Sequence, residues 1–234
     1  MLSGIHFLLT YDCTNECDHC FLFCRPNAGG TFTIAQIRDV FSQIDKLKSI
    51  DNVYFEGGEP FLYYQLMLEG IRLARQRNLK VGIVTNSYWA TSAEDAELWL
   101  APLRDMGIDN IGLSADEYHR SGEPKDPPRM ALAAAEKLGI GSYTICIEEP
   151  KIEYEADSGS GKGKPIIGGG TRFRGRAAEK LTKDLPTRDW RGFTSCPHEE
   201  LENPERVHID AFGNVHICQG LLMGNMWKIP LSVL

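Results

Sequence analysis

The chain concentrates its reactive chemistry early, in Cys13-x3-Cys17-x2-Cys20, with Cys24 four residues further on. Thiolates are the ligands of iron-sulfur clusters and of structural zinc. Three of them on one loop can converge on three corners of a four-iron cubane, leaving one iron open to chelate a small molecule. If Cys24 supplies a fourth ligand, the same loop closes into a zinc site or an electron-transfer cluster. The chain has seven cysteines, an odd count, and four of them lie between Cys13 and Cys24, too close together for a disulfide framework. In a reducing compartment such crowding indicates metal or redox chemistry.

A loop of this kind needs elements that bring further ligand groups to it. Ile5 to Leu9 reads as a strand, and Thr33-Ile34-Ala35-Gln36 as a capping box opening a helix with Ile37, Phe41 and Ile44 on one face. Val53 to Phe55 is a second strand, Leu66 to Arg77 helical, and Val81 to Thr85 a third strand. Thr91 to Glu94 makes another capping box, before a helix carrying Leu98, Trp99 and Leu103. Ile111 to Ser114 is a fourth strand, Met130 to Leu138 a helix, and Tyr143 to Ile147 a fifth strand. Strands apolar on both faces, alternating with helices, imply a parallel sheet with right-handed crossovers, as a barrel or an open doubly wound sheet. Either architecture gathers ligands at the C-terminal strand ends. The distinctive segments fall there: the cysteine loop after the first strand, Glu56-Gly57-Gly58-Glu59-Pro60 after the second, Thr85-Asn86 at the third and Ser114-Ala115-Asp116 at the fourth.

In these four motifs the chain resembles the radical S-adenosylmethionine (SAM) superfamily. The resemblance implies a partial (β/α)6 barrel of the TIM type over residues 1–180. It implies a [4Fe-4S] cluster on Cys13, Cys17 and Cys20, whose open iron binds the amino and carboxylate groups of SAM. Reductive cleavage of SAM then gives a 5'-deoxyadenosyl radical, and the protein's part is to aim it at a substrate C–H bond. Gly57, Gly58 and Glu59 are expected at the SAM amino group, the glycines permitting close backbone approach, although a plain strand-ending turn would use them too. Ser114 and Asp116 suit the two ribose hydroxyls. By the same resemblance Asn86 is expected to serve that ligand, and His19 either to stack near the adenine or to be a solvated loop histidine. Arg174 and Arg176 are either partners of the SAM carboxylate or ordinary surface arginines. Tyr118 and His119 face the radical or pack the loop.

Residues 149–171, rich in Gly, Ser and Lys, read as a flexible loop or lid. Arg206 to Cys218 alternates around Phe212-Gly213-Asn214, the pattern of a β-hairpin. With Cys196, Cys218 and Gly224-Asn225-Met226, it resembles the start of a SPASM or twitch extension over residues 190–234. Such extensions carry auxiliary iron-sulfur clusters. Cys196 and Cys218 fall short of the roughly four ligands a cluster needs, so the extension reads as incomplete. Cys146, within the fifth strand, is expected to be a buried small hydrophobe.

The resemblance implies an oxidoreductase acting on a peptide or protein, or on a small molecule of cofactor biosynthesis, with an electron donor such as flavodoxin or ferredoxin. A non-catalytic iron-sulfur or zinc scaffold is the reading from another class. The 234 residues are 42% hydrophobic and 24% charged, enough for a sizeable core. A net charge of -7 gives no general footprint for nucleic acid. No apolar run approaches the roughly 20 residues that span a bilayer, and the N-terminus lacks the basic and small-residue marks of a signal peptide. A soluble cytoplasmic protein is expected.

Overall fold

The computed structural model describes residues 1–119, 126–154, 165–187, 189–192, 196, 200–218 and 220–234. In chain order the elements are β1 (Gly4–Thr10), α1 (Ile34–Ile44), β2 (Asn52–Gly57), α2 (Tyr64–Arg75), β3 (Lys80–Thr85), α3 (Ala93–Asp105), β4 (Asn110–Ser114), α4 (Pro127–Leu138) and β5 (Gly141–Ile145). There follow β6 (Lys151–Tyr154), β7 (Pro165–Gly168), α5 (Arg176–Lys180), β8 (Arg206–Asp210), β9 (Asn214–His216) and β10 (Leu222–Asn225).

Eight strands form one sheet in the order β10-β9-β8-β1-β2-β3-β4-β5. Every pairing from β8 to β5 is parallel, and β8, β9 and β10 pair antiparallel. This is an α/β fold of the partial-barrel type. The sixth parallel strand, β8, comes from the segment read as the start of an accessory module. It lies beside β1 with His6 opposite His208, so the hairpin extends the barrel sheet.

The two faces of the sheet differ, which corrects the expectation of strands apolar on both. Ile5, Phe7, Leu9, Val53, Phe55, Val81, Ile83, Ile111, Leu113, Val207 and Ile209 are buried in one core. Ile37 and Phe41 of α1, Met67 and Ile71 of α2, Leu100 and Leu103 of α3, and Ala131, Ala134 and Ala135 of α4 belong to the same core. Their strand neighbours of opposite parity, including His6, Tyr54, Glu56, Ser114, Tyr143, Arg206 and His208, line a cavity of about 500 Å³. Alternation of side chains along a strand produces this division. Gly82 and Gly112 hold no side chain because the Tyr54 and Tyr143 rings occupy that space. A Cβ would come within 2.2 and 2.8 Å of them.

Local signals account for the helix ends. At α1 the Gln36 amide donates to Thr33 Oγ1 at 3.3 Å, while the Gln36 side chain accepts from the Thr33 amide at 2.8 Å, completing the capping box. At α3 the cap is Ser92, whose Oγ accepts from the Asp95 amide at 3.0 Å, one residue later than the Thr91 expectation. Leu100 and Leu103 of this helix are buried and Trp99 packs partly against the core, while Leu98, expected on the buried face, is exposed to solvent.

Two further expectations are corrected. The ends of the stretch 149–171 are ordered into an antiparallel ribbon, with Lys151 opposite Gly168 and Tyr154 opposite Pro165. The Gly-rich 155–164 lies outside the described residues. Cys146 is exposed, just past the end of β5 at the sheet edge, because the strand stops at Ile145.

Candidate active site

The cysteine loop leaves β1 at Thr10 and is pinned at its base. Asp12 bridges to Arg25, the Cys13 amide donates to the Arg25 carbonyl at 3.2 Å, and the Asp12 carboxylate accepts from the Asn27 amide at 2.8 Å and the Tyr63 hydroxyl at 3.3 Å. Within the loop the Cys20 amide donates to the Cys17 carbonyl at 3.1 Å. Backbone N–H groups point at sulfur: Asn15 at Cys13 Sγ, 3.5 Å, and Cys24 at Cys20 Sγ, 3.3 Å. Cys13, Cys17 and Cys24 are buried, Cys20 is half-buried, and all four line the cavity. Burial pushes the Cys13 thiol up to about 11 and that of Cys17 up to about 12. The hydrogen bond between Cys24 and Cys20 drives Cys24 upward and Cys20 down to about 6. Cys20 is therefore the sulfur most ready to act as a thiolate.

The glycines at the end of β2 answer to the β1 backbone. Gly57 has φ 125°. A Cβ there would lie 2.5 Å from the Thr10 carbonyl oxygen, and one on Gly58 would lie 2.0 Å from that of Asp12. In their place the Gly58 amide donates to Thr10 at 2.7 Å and the Glu59 amide to Asp12 at 2.9 Å, fixing the cysteine loop's exit while both glycines still border the cavity. Glu59 departs from its expected role. It is fully buried, with Oε1 accepting from the Phe61 amide (3.1 Å) and Thr85 Oγ1 (2.8 Å) and Oε2 accepting from the Asn86 amide (2.8 Å). The cavity is lined without it. Glu59 clamps the ends of β2 and β3 together, so its carboxylate is spent on backbone and hydroxyl donors.

Burial pushes the Glu59 carboxyl up to about 7, from an ordinary 4.5. Between those pH values the folded chain holds a proton that the unfolded chain has released, so this group's contribution to stability falls as pH rises through the window, by up to about 1.4 kcal/mol per pH unit. Glu59→Gln removes the titration. The difference in unfolding free energy between wild type and Glu59→Gln, followed by denaturant titration from pH 5 to 7, is expected to shift in the variant's favour as pH rises; a pH-independent difference would refute the assignment.

Asn86, Ser114, Asp116 and His19 meet on the cavity wall. Asn86 Nδ2 donates to Thr14 Oγ1 at 2.9 Å and reaches Cys13 Sγ at 3.6 Å. Asp116 is buried. Its Oδ1 is 2.7 Å from His119 Nδ1, while Oδ2 accepts from the Ile147 amide at 3.3 Å and lies 3.9 Å from His19 Nε2. Burial opposes its charge, but the contacts with His119 and His19 hold its pKa below the ordinary carboxylate value. His19 stacks on Tyr118 at 4.5 Å, and burial lowers its pKa to about 4, leaving a neutral ring.

The arginines are placed differently from expectation. Arg176 is buried beneath the cysteine loop. Its Nη1 donates to the Cys17 carbonyl (2.7 Å), its Nη2 to that of Cys24 (2.8 Å) and its amide to that of Cys20 (2.9 Å). Gly175 permits this approach, since a Cβ there would meet the Phe21 carbonyl carbon at 2.5 Å. Arg174 turns to the buried Cys218 sulfur. Neither arginine lines the cavity; Arg172, which sequence reasoning missed, does. Cys196 is half-buried, and its sequence neighbours lie outside the described residues.

Sequence reasoning also missed a second polar cluster. Glu56 Oε2 is 3.2 Å from His6 Nδ1, and Glu56 Oε1 is 3.2 Å from His208 Nε2. The available signal was the appearance of His and Glu at alternate positions of otherwise apolar strands, Ile5-His6-Phe7, Phe55-Glu56 and Val207-His208-Ile209.

A parallel partial barrel with a thiol loop and polar groups at successive strand ends defines a cofactor-dependent enzyme scaffold. The chain belongs to the radical SAM superfamily, whose family model matches residues 7–147. Its cofactors are accordingly SAM and a [4Fe-4S] cluster. The peptide biosynthesis protein YydG of Bacillus subtilis (strain 168) is 25% identical over 107 residues, 46% of this chain and 34% of that protein, so the match spans about a third of the curated relative. Among solved structures, BtrN in complex with AdoMet and 2-DOIA gives a TM-score of 0.63 at 16% identity, covering 99% of this chain and 81% of that one. The anSMEcpe structure with bound AdoMet gives 0.55 at 15% identity, covering 99% and 79%. At these identities the likeness is one of fold. Among the described residues no helix is long and apolar enough to cross a membrane.

Proposed function

We propose that Cys13, Cys17 and Cys20 hold the [4Fe-4S] cluster, that SAM lies between this loop and Ser114 and Asp116, and that the radical so generated acts on a peptide or protein. The observation that carries the site is convergence. Thiols from the end of β1, Asn86 from β3, Ser114 and Asp116 from β4, and His19 all border one cavity. The donor set fits a cluster, because Cys13 and Cys17 are sheltered from solvent and the Cys13 and Cys20 sulfurs receive backbone N–H groups that favour thiolate. When bound, the cluster supplies the electron that cleaves SAM to the 5'-deoxyadenosyl radical.

The chain's own residues orient and shield. Asp116 is held in place by His119 and the Ile147 amide, leaving Ser114 and the open side of its carboxylate to accept from ribose hydroxyls. The neutral His19 ring, braced by Tyr118, offers a stacking surface for adenine. Gly57 and Gly58 border the cavity at the strand end, where their backbone would face the amino group. Arg172 and Arg206 are the arginines that border the cavity, and either is a candidate to meet the SAM carboxylate. An external one-electron carrier of the flavodoxin or ferredoxin type provides the reducing equivalent.

The peptide assignment is supported by the relationship to YydG; a small molecule is the other outcome of the same experiment. Anaerobically reconstituted protein would be incubated with SAM, dithionite and candidate peptides deuterated at Cα or the side chain. Deuterium transfer into 5'-deoxyadenosine from a peptide supports the reading, and transfer only from small-molecule fractions overturns the peptide assignment. Asp116→Ala is expected to weaken SAM binding by about 10- to 100-fold, the loss of a charge-assisted hydrogen bond, with iron content unchanged. Equilibrium binding under anaerobic conditions checks this, and an unchanged affinity would remove Asp116 from the SAM site.

A further inference from the structure

We propose that His6, Glu56 and His208 form a second metal centre, binding one divalent transition-metal ion on the wall of the barrel cavity, apart from the cysteine loop. The three ligand atoms lie within 4.8 Å of one another, and the two N–O separations are both 3.2 Å. Donors about 2.0–2.2 Å from a common ion are spaced about 3.0–3.4 Å apart in octahedral or tetrahedral geometry. The two edges through Glu56, one from each carboxylate oxygen, fall in that range, and the His6–His208 edge is within 4.8 Å, so side-chain rotation would bring the three donors onto one ion.

The scaffold is rigid where it must be. The ligands stand on the adjacent parallel strands β8, β1 and β2, with His6 in register with His208. Their side chains are 11%, 14% and 2% exposed in the order His6, Glu56, His208. His6 is stacked on Tyr54 at 4.6 Å and set edge-on to His208 at 4.9 Å, which fixes both rings. All three residues also border the cavity, so any coordination position they leave free opens into it.

Two imidazoles and one carboxylate, without a thiolate, suit Fe²⁺ or Zn²⁺ with open positions. The ligand for those positions is a hydroxyl, carboxylate or amide oxygen of the substrate, which the ion would orient and polarise; this last role rests on the proposed radical reaction, whereas metal binding does not. The centre would anchor the substrate on the β8-β1-β2 side of the cavity, whereas Ser114 and Asp116, proposed to face SAM, stand at and just past the end of β4.

The test reads metal, with SAM cleavage left aside. The full chain with Cys13, Cys17 and Cys20 changed to Ala is titrated anaerobically with Co²⁺, and the cluster-loaded wild type is assayed for zinc beside iron by mass spectrometry. One equivalent of Co²⁺ with ligand-field bands and no sulfur-to-cobalt charge transfer, and one zinc per chain in the loaded protein, are expected. Glu56→Gln and His208→Asn should each weaken binding at least 10-fold, as loss of one of three ligands requires. Glu56→Gln is nearly isosteric and reports even if His208→Asn fails to fold. No uptake below millimolar Co²⁺, thiolate charge-transfer bands, or affinity unchanged in Glu56→Gln would each overturn the proposal and leave the triad as hydrogen-bonded side chains. Failure of the radical reading would show separately, as absence of SAM cleavage by the loaded wild type.

Discussion

Cys13→Ala, Cys17→Ala and Cys20→Ala proteins are each expected to lose reductive SAM cleavage down to the background of cluster-free protein, while Cys24→Ala keeps most of it. A cubane with one iron open to SAM has no spare protein ligand, so removing any of the three frees a second iron and exposes the cluster to loss. Cys24 stands differently. Its amide donates to Cys20 Sγ, and its thiol shares the hydrogen bond that lowers Cys20 toward thiolate. Cys24→Ala preserves the amide and removes only the thiol's part, so a loss of less than about 10-fold in cleavage is expected, the net worth of about one ordinary hydrogen bond. The measurement is 5'-deoxyadenosine formed per cluster, with iron and sulfide counted on every variant. Abolished cleavage in Cys24→Ala together with retention in Cys20→Ala would reverse the ligand assignment and favour a closed site built on Cys24.

Much of this arrangement could be read from local pattern, and what could not has a physical cause. The Thr33 capping box, the apolar stripe Ile37-Phe41-Ile44 and the strand cores are short-range signals whose meaning does not depend on distant partners. The convergence of Cys13, Asn86, Ser114 and Asp116 follows once strands are parallel, because all four lie at the same end of the sheet. Three features were opaque because they depend on pairings far apart in sequence. Strand β8 reads as one arm of a hairpin, which it is, yet its parallel partner is β1, some 200 residues earlier, and no local signal names that neighbour. The His6-Glu56-His208 cluster exists only through that pairing. Glu59 carries the right charge in the right motif, but the amides of Phe61 and Asn86 and the Thr85 hydroxyl reach it before any ligand can.

Arg176 is the strongest case of this kind, and Arg176→Ala is expected to dismantle the cysteine loop without acting as a SAM-binding variant. Arg176 is 5% exposed and splits its guanidinium fork between the carbonyls of Cys17 and Cys24, while its backbone amide holds that of Cys20. Truncation removes the Cys24 carbonyl's donor, at about 1–3 kcal/mol, and strips the Cys17 carbonyl of one of its two, the Cys20 amide remaining. It also removes the positive charge that lowers the pKa of Cys17, Cys20 and Cys24. Both effects oppose thiolate ligation at neutral pH. Iron per chain after reconstitution should fall well below half of the wild-type value, and the remaining cluster should be stripped faster by a chelator. Arg176→Lys restores charge but presents a single ammonium in place of the planar fork, so it can satisfy one carbonyl well and should give intermediate iron retention. The alternative role, pairing with the SAM carboxylate, makes the opposite forecast. Under it Arg176→Ala would retain the full cluster, resist the chelator like wild type, and lose only SAM affinity. Iron content and SAM binding measured on the same preparations separate the two outcomes, because a buried clamp on the loop and a ligand partner in the cavity cannot both be what the side chain does.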